Sequence, residues 1–113
     1  MNDQTILTFT RNGLGHAPDD LQQKLAVKFL QLNLEVNTLP AKILLYTDGV
    51  KLACEGSPVI DQLRALKERG VVLILCSTCL DYYGLREKVA VGIVGGMPDI
   101  IEAMSRAGKV ISL

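Results

Sequence analysis

What the chain lacks narrows its class before any motif is read. Net charge is zero, from 12 Lys and Arg against 12 Asp and Glu. The electrostatic footprint of a dedicated nucleic-acid binder is therefore missing, and no nucleic-acid partner is expected. No charged tail stands in for it: five basic residues face six acidic ones through Gly56, and seven face six after it. Long apolar runs are also lacking. Val71-Val72-Leu73-Ile74-Leu75-Cys76 has the length of a strand, far from the ~20 residues that cross a bilayer, so no membrane partner is expected. Met1-Asn2-Asp3-Gln4-Thr5 shows neither the positive region nor the apolar stretch of a signal peptide. Three cysteines are too few, and odd in number, for a disulfide framework. A reducing, cytoplasmic setting with free thiols is expected.

What is present is apolar and closely punctuated. Hydrophobic residues make up 49% and charged ones 21% of 113 residues, which excludes disorder and fits one domain over 1–113. Thr5 to Thr10 reads as a first strand. Gly13-Leu14-Gly15 breaks it, and Pro18-Asp19-Asp20 opens a helix with acidic residues in its first turn. Leu21, Leu25, Phe29, Leu32 and Val36 then form one helical stripe, expected to face the core. Lys42 to Thr47 is a second strand; Ser57-Pro58 caps a helix whose buried stripe is Val59, Leu63 and Leu66, ended by Gly70. Val71 to Leu75, apolar on both faces, is expected to be central. Val89 to Val94 is a fourth strand. Pro98-Asp99 opens a last helix with Ile100, Ile101 and Met104 inward, stopped by Gly108, and Val110 to Leu113 is a fifth strand. Such short connections imply parallel strands with right-handed crossovers. The expected fold is α/β, a three-layer α/β/α sandwich with a five-stranded, mainly parallel sheet, whose strand order the pattern leaves open.

In such sheets ligands bind beyond the carboxyl ends of the strands. Four expected loops lie there: Arg11 to Pro18, Asp48 to Ser57, Cys76 to Gly84 and Gly95 to Pro98. They hold all three cysteines, and Cys76-Ser77-Thr78-Cys79 is the sharpest signal. A thiolate at a strand-to-helix turn gains from free N–H groups and the helix dipole, and two thiols this close can resolve a persulfide or sulfenate as a disulfide. The plainer alternative is a pair of small buried hydrophobes. Zinc needs four ligands, and one CxxC with Cys54 and His16 in other loops does not supply an obvious set. A thioredoxin motif would open a long helix early in the chain, before a later cis-Pro. Gly13-Leu14-Gly15 completes neither GxGxxG nor GK[ST] and reads as a tight turn. No cofactor is expected. Gly96, beside Gly95, offers backbone N–H groups at the last helix's start. His16, the only histidine, is a candidate base or thiolate partner, although a lone loop histidine is more often solvated. Asp48-Gly49 and Glu55-Gly56 read as turns. Tyr82-Tyr83 is expected to cover the cysteine loop or meet another subunit.

These residues resemble the DsrE/DsrF-like proteins, and within them the carboxyl-terminal domain of the YedF-type proteins of sulfur and selenium metabolism. The resemblance is carried by Leu39-Pro40, Tyr46-Thr47-Asp48-Gly49-Val50-Lys51-Leu52, Glu55-Gly56-Ser57, Gly70-Val71 and Lys109-Val110-Ile111. Its specific part is Cys76-Ser77-Thr78-Cys79-Leu80-Asp81-Tyr82-Tyr83-Gly84-Leu85. It implies a parallel five-stranded domain that forms trimers or hexamers. It also implies a cysteine persulfide in the loop after a central strand, at the position of Cys76, with Cys79 as an additional thiol. Two departures stand out. The first loop reads Gly15-His16-Ala17-Pro18-Asp19-Asp20 in place of an uninterrupted acidic run, and the Cys-Pro sulfur-carrier domain is not in this chain. Sulfur donor or acceptor proteins are then separate partners. The resulting expectation is a sulfur-relay or sulfurtransferase-like protein in which Cys76 attacks, Cys79 releases, and amides near Thr78 and Gly96 hold the anionic sulfur, with His16 and Cys54 nearby. The alternative is a non-catalytic oligomeric module with structural or redox-sensing cysteines.

Overall fold

A computed structural model describing residues 1–113 resolves this alternation into five strands and four α-helices. The strands are β1 (Thr5–Phe9), β2 (Lys42–Leu45), β3 (Val72–Cys76), β4 (Ile93–Gly95) and β5 (Lys109–Ser112). The helices are α1 (Asp19–Glu35), α2 (Ile60–Glu68), α3 (Ser77–Tyr83) and α4 (Met97–Arg106). The sheet order is β4-β3-β2-β1-β5 and every pairing is parallel. From β1 to β4 the chain steps one way across the sheet, so right-handed crossovers place α1 and α2, which pack on each other, on one face. The return from β4 to β5 carries α4 over the other face, where it meets β3 and β4. This is the expected three-layer sandwich.

The core lies between these layers. Leu7 and Phe9 on β1, Ile43 to Leu45 on β2 and Leu73 to Leu75 on β3 meet Leu30, Leu63, Leu66 and Ile100 from the helices. Gly70 ends α2 in the left-handed region, at φ 96°, as its position after the helix required. Register sets the stage for the site. Phe9 pairs with Leu45, Leu45 with Leu75, and Cys76 with Gly95. The segments leaving β1 to β4 therefore emerge along one edge.

Several expected details are corrected. The stripe on α1 faces the wrong way: Leu21, Leu25, Leu32 and Val36 are exposed and Phe29 half-buried, while Gln22, Ala26, Leu30 and Leu34 are buried. Two overlapping apolar rows run along this helix, and the row containing the small Ala26 is the one that lies against the sheet. β3 is an inner strand, but β2 is the middle one, and Val72 is open beside the three-residue β4. β4 starts later than expected because Gly92, at φ 95°, turns the chain against Leu73 and Leu75. Val59 rather than Ser57 precedes α2, and the Ser57 hydroxyl accepts the Val59 N–H at 3.2 Å. On α4, Ile100 and Ala103 are buried, Met104 is half-buried and Ile101 faces solvent. Two expected loops are helical: Thr47–Ala53 is a 3-10 helix and Ser77–Tyr83 is α3.

Candidate functional site

Cys76 is the last residue of β3, and α3 begins at the next residue. The CxxC therefore spans a strand end and the first turn of a helix. Leu80 anchors that helix in the core, and Gly84, left-handed at φ 66°, closes it. The two thiols differ in access. Cys76 is 2% exposed, whereas Cys79 is half-buried and reaches the surface. The two thiols lie close enough for Cys76 to act on the titration of Cys79.

A backbone donor reaches Cys79 from the segment after β2. The Thr47 N–H donates to Cys79 Sγ at 3.0 Å. Burial pushes the Cys79 thiol above the ordinary range, and the hydrogen bond with Cys76 adds to this, while the Thr47 amide pulls it back. The N–H thus comes from the neighbouring segment after β2, not from the strand-to-helix turn that was expected to supply it, and burial outweighs it at this thiol.

Thr47 is held unusually. It is a β-branched residue in the left-handed region, at φ 48°, and its hydroxyl donates to the Thr10 carbonyl at the end of β1. Gly49 packs so closely that an added Cβ would lie 1.9 Å from the Phe9 carbonyl oxygen. Between them, Asp48 accepts a short hydrogen bond from the Tyr83 hydroxyl and an ion pair from Lys51 at 3.2 Å. The Lys51 ammonium also lies 4.4 Å from the Tyr83 ring centre. The bond to Asp48 raises the Tyr83 phenol to about 12, and the same bond lowers Asp48 below the usual carboxylate value. Tyr82 stands edge-to-face against Tyr83, at 5.3 Å and 83°, and is otherwise open to solvent.

Of the residues expected to handle sulfur, Cys76, Cys79, Thr78, Gly96, His16 and Cys54, only Cys76 and Cys79 are brought together. Thr78 is exposed on the first turn of α3. The Gly96 N–H is not free for an anionic sulfur, because the Asp99 carboxylate accepts it at 2.8 Å as part of the start of α4. Cys54 is buried and donates to the Val50 carbonyl at 3.3 Å; burial first, then Glu55, pushes this thiol up. His16 is exposed and lines a polar cleft of about 280 Å³ with Arg11, Asp19, Gln22, Asp48 and Lys51. No three His, Cys, Asp or Glu side chains converge as a metal site would require.

Thr47, Asp48 and Lys51 are the neighbours that sequence reasoning missed, and Tyr83, expected to cover the cysteine loop or meet another subunit, was read without its bond to Asp48. One signal was available: Tyr83 follows Cys79 by four residues, so a helix after β3 would present both on one face. Asp48 sits just past the carboxyl end of β2, at the same sheet edge. Reading Asp48-Gly49 as turn punctuation hid it.

Comparison with known proteins agrees with this fold. Residues 14–113 match the DsrE/DsrF-like family. The chain belongs to that family. Among solved structures, the YchN protein from E. coli is similar at a TM-score of 0.72 and 19% identity, covering 97% of this chain and 99% of its own. A protein of unknown function from Methanobacterium thermoautotrophicum is similar at 0.69 and 15% identity, with 96% and 97% covered. A conserved protein of unknown function from Bacteroides thetaiotaomicron reaches 0.69 at 14% identity, with 98% and 96% covered. No curated protein matches the chain significantly in sequence. No helix of this DsrE/DsrF-like chain is long and apolar enough to cross a membrane.

Proposed function

We propose that this protein is a sulfur carrier that holds sulfur as a cysteine persulfide on its Cys76–Cys79 pair and passes it between a donor and an acceptor thiol. The observation that carries the reading is the pair itself. Two free, adjacent thiols stand at the carboxyl edge of a parallel sheet, and a backbone N–H lies 3.0 Å from one sulfur. Membership of the DsrE/DsrF-like family and the YedF-type block around the CxxC support it.

In loading, a thiolate of the pair bonds to the outer sulfur of a donor persulfide as the donor's S–S bond breaks. The proton on that outer sulfur moves to the departing donor sulfur, which leaves as a thiol. In unloading, an acceptor thiolate attacks the outer sulfur and returns the cysteine thiolate, so no reductant is consumed. If no acceptor arrives, the second thiolate of the pair can attack the inner sulfur, expel hydrosulfide and close a disulfide. A dithiol reductant then restores the pair. The donor and acceptor are separate proteins or small thiols, and the carrier works as a homo-oligomer. The exposed leucines of α1 support that assembly.

A second reading has its own support. Cys76 is buried and the Cys79 thiol is raised, which suits a non-catalytic or redox-sensing module. Intact mass after incubation with cysteine persulfide separates the two. Wild type should gain one sulfur that a dithiol removes, and Cys76→Ser/Cys79→Ser should gain none. No adduct on fully reduced wild type favours the module, and an adduct on the double variant rejects the pair as the carrier.

A further inference from the structure

We propose that Cys79, not Cys76, is the thiol that takes up sulfur, and that the Thr47 N–H, aimed by Tyr83 and Asp48, is the donor that stabilises its charge. The proposal rests on the carrier reading and divides the labour within the pair. The two thiols differ first in access. A donor persulfide on another molecule must bring its outer sulfur into line with the attacking thiolate. Cys76, 2% exposed at the end of an inner strand, offers no approach without local opening, whereas Cys79 reaches solvent from the first turn of α3.

Cys79 also has a donor. The Thr47 amide lies 3.0 Å from Cys79 Sγ, within reach of a charge-assisted hydrogen bond to a thiolate. This sulfur is charged twice in the cycle, once as nucleophile and once as leaving group when the acceptor takes the outer sulfur. A fixed N–H lowers the barrier in both directions, because it is already in place where charge develops. Cys54 has no such donor; its own thiol donates to a carbonyl.

That donor is held still. A β-branched residue at φ 48° persists only where its surroundings over-determine it, and such residues cluster at functional sites. Here α3 grips two adjacent residues with two side chains one helical turn apart: Cys79 takes the Thr47 N–H, and Tyr83 donates to the Asp48 carboxylate. Lys51 braces the same carboxylate and the ring of Tyr83. On the other side, the Thr47 hydroxyl is tied to Thr10, and Gly49 is wedged on Phe9. Tyr83 and Asp48 are positioning residues; they act on the sulfur through Thr47.

Cys79 thiolate plus R–S–SH gives Cys79–S–S⁻ plus R–SH, with one S–S bond formed and one broken and no electrons gained or lost overall.

The test combines single-cysteine variants with Tyr83→Phe. After incubation with cysteine persulfide, Cys76→Ser should gain one sulfur as wild type does, and Cys79→Ser should gain none. Loss in Cys76→Ser with retention in Cys79→Ser overturns the assignment, as does loss or retention in both. If wild type itself takes no sulfur, the carrier reading fails. The assignment is then read from iodoacetamide, which should modify Cys79 well before Cys76; equal or reversed rates overturn it. For positioning, Tyr83→Phe should shift the pH profile of Cys79 alkylation upward, slowing it roughly three- to tenfold at pH 7. An unchanged profile, even with lowered thermal stability, overturns the role given to Tyr83.

Discussion

A phenol and a carboxylate 35 residues apart share one hydrogen bond at the edge of the cysteine pair, and their titration should report it. The Tyr83 phenol is raised to about 12. Its folded value lies above the unfolded value of about 10, so the bond's contribution to stability is complete below about pH 10. It is lost as pH rises through about 12. Asp48 gives the opposite sign. Its folded value is lowered, so its contribution is present above the unfolded value of about 3.9 and disappears as pH falls through the lowered one. The contact is therefore intact across the neutral range. Ultraviolet titration of tyrosinate should show one of three tyrosines ionising late, and Asp48→Asn should return it toward 10. Identical curves for the two proteins would rule the contact out. Cys76 and Cys79 were legible in sequence because a CxxC after a strand carries its own spacing. Thr47, Asp48 and their link to Tyr83 were not, because Asp-Gly after a strand looks the same whether it only turns or also accepts a distant hydroxyl.

At the scale of the element, the strands were easier to read than the face of the long helix. β1, β2, β3 and β5 lie within a residue or two of their β-branched and aliphatic runs; for the inner three, a strand buried on both sides needs only apolar content, and β5, at the exposed edge, was marked by its β-branched residues. α1 needs a choice of face. Its leucines and valines occupy two overlapping rows, and periodicity alone cannot rank them. The sheet ranks them: Ala26 lets the helix approach, Leu30 and Leu34 follow on the same row, and Leu32 is left in solvent. Stability should follow that ranking. Leu30→Ala removes a side chain that is 1% exposed and should cost about 2–5 kcal/mol in chemical denaturation. Leu32→Ala, 58% exposed, should stay within about 0.5 kcal/mol when measured on the dissociated chain. Comparable losses at the two sites would mean that the helix is rotated from the face described. The short α3 was missed for a different reason. Seven residues offer too few apolar positions for a period, and the left-handed Gly84 that closes it looks in sequence like one more loop glycine.

The face that α1 turns away from its own sheet has consequences for the whole molecule. Leu21, Leu25 and Leu32 on the 17-residue α1, with Val36 just past its end, form one row joined by the half-buried Phe29, the four each between 38% and 69% exposed. Single exposed leucines are ordinary, but a row along one helix resembles half of an interface more than a solvated surface. A second open group, Ile93, Val94, Met97 and Ile101, lies on β4 and α4, where the sheet ends in a three-residue strand paired on one side only. Covering either group from within would require another helix, and all four α-helices of the chain are already placed. A second copy of the chain is the simplest cover for the α1 row, since an apolar stripe of this shape is matched by its own symmetry mate in an isologous contact. Sedimentation velocity should therefore find wild type as an oligomer. Leu25→Glu/Leu32→Glu, which puts two like charges into the centre of that row, should shift it to a single chain with helix content unchanged. Because both residues face away from the core, loss of the oligomer should leave the thermal unfolding of the separated chain cooperative. An oligomer that survives the double variant would move the interface to β4 and α4, beside the edge where Cys76 pairs with Gly95. A wild type that sediments as a single chain at high concentration would remove assembly from the account altogether and leave the row as surface.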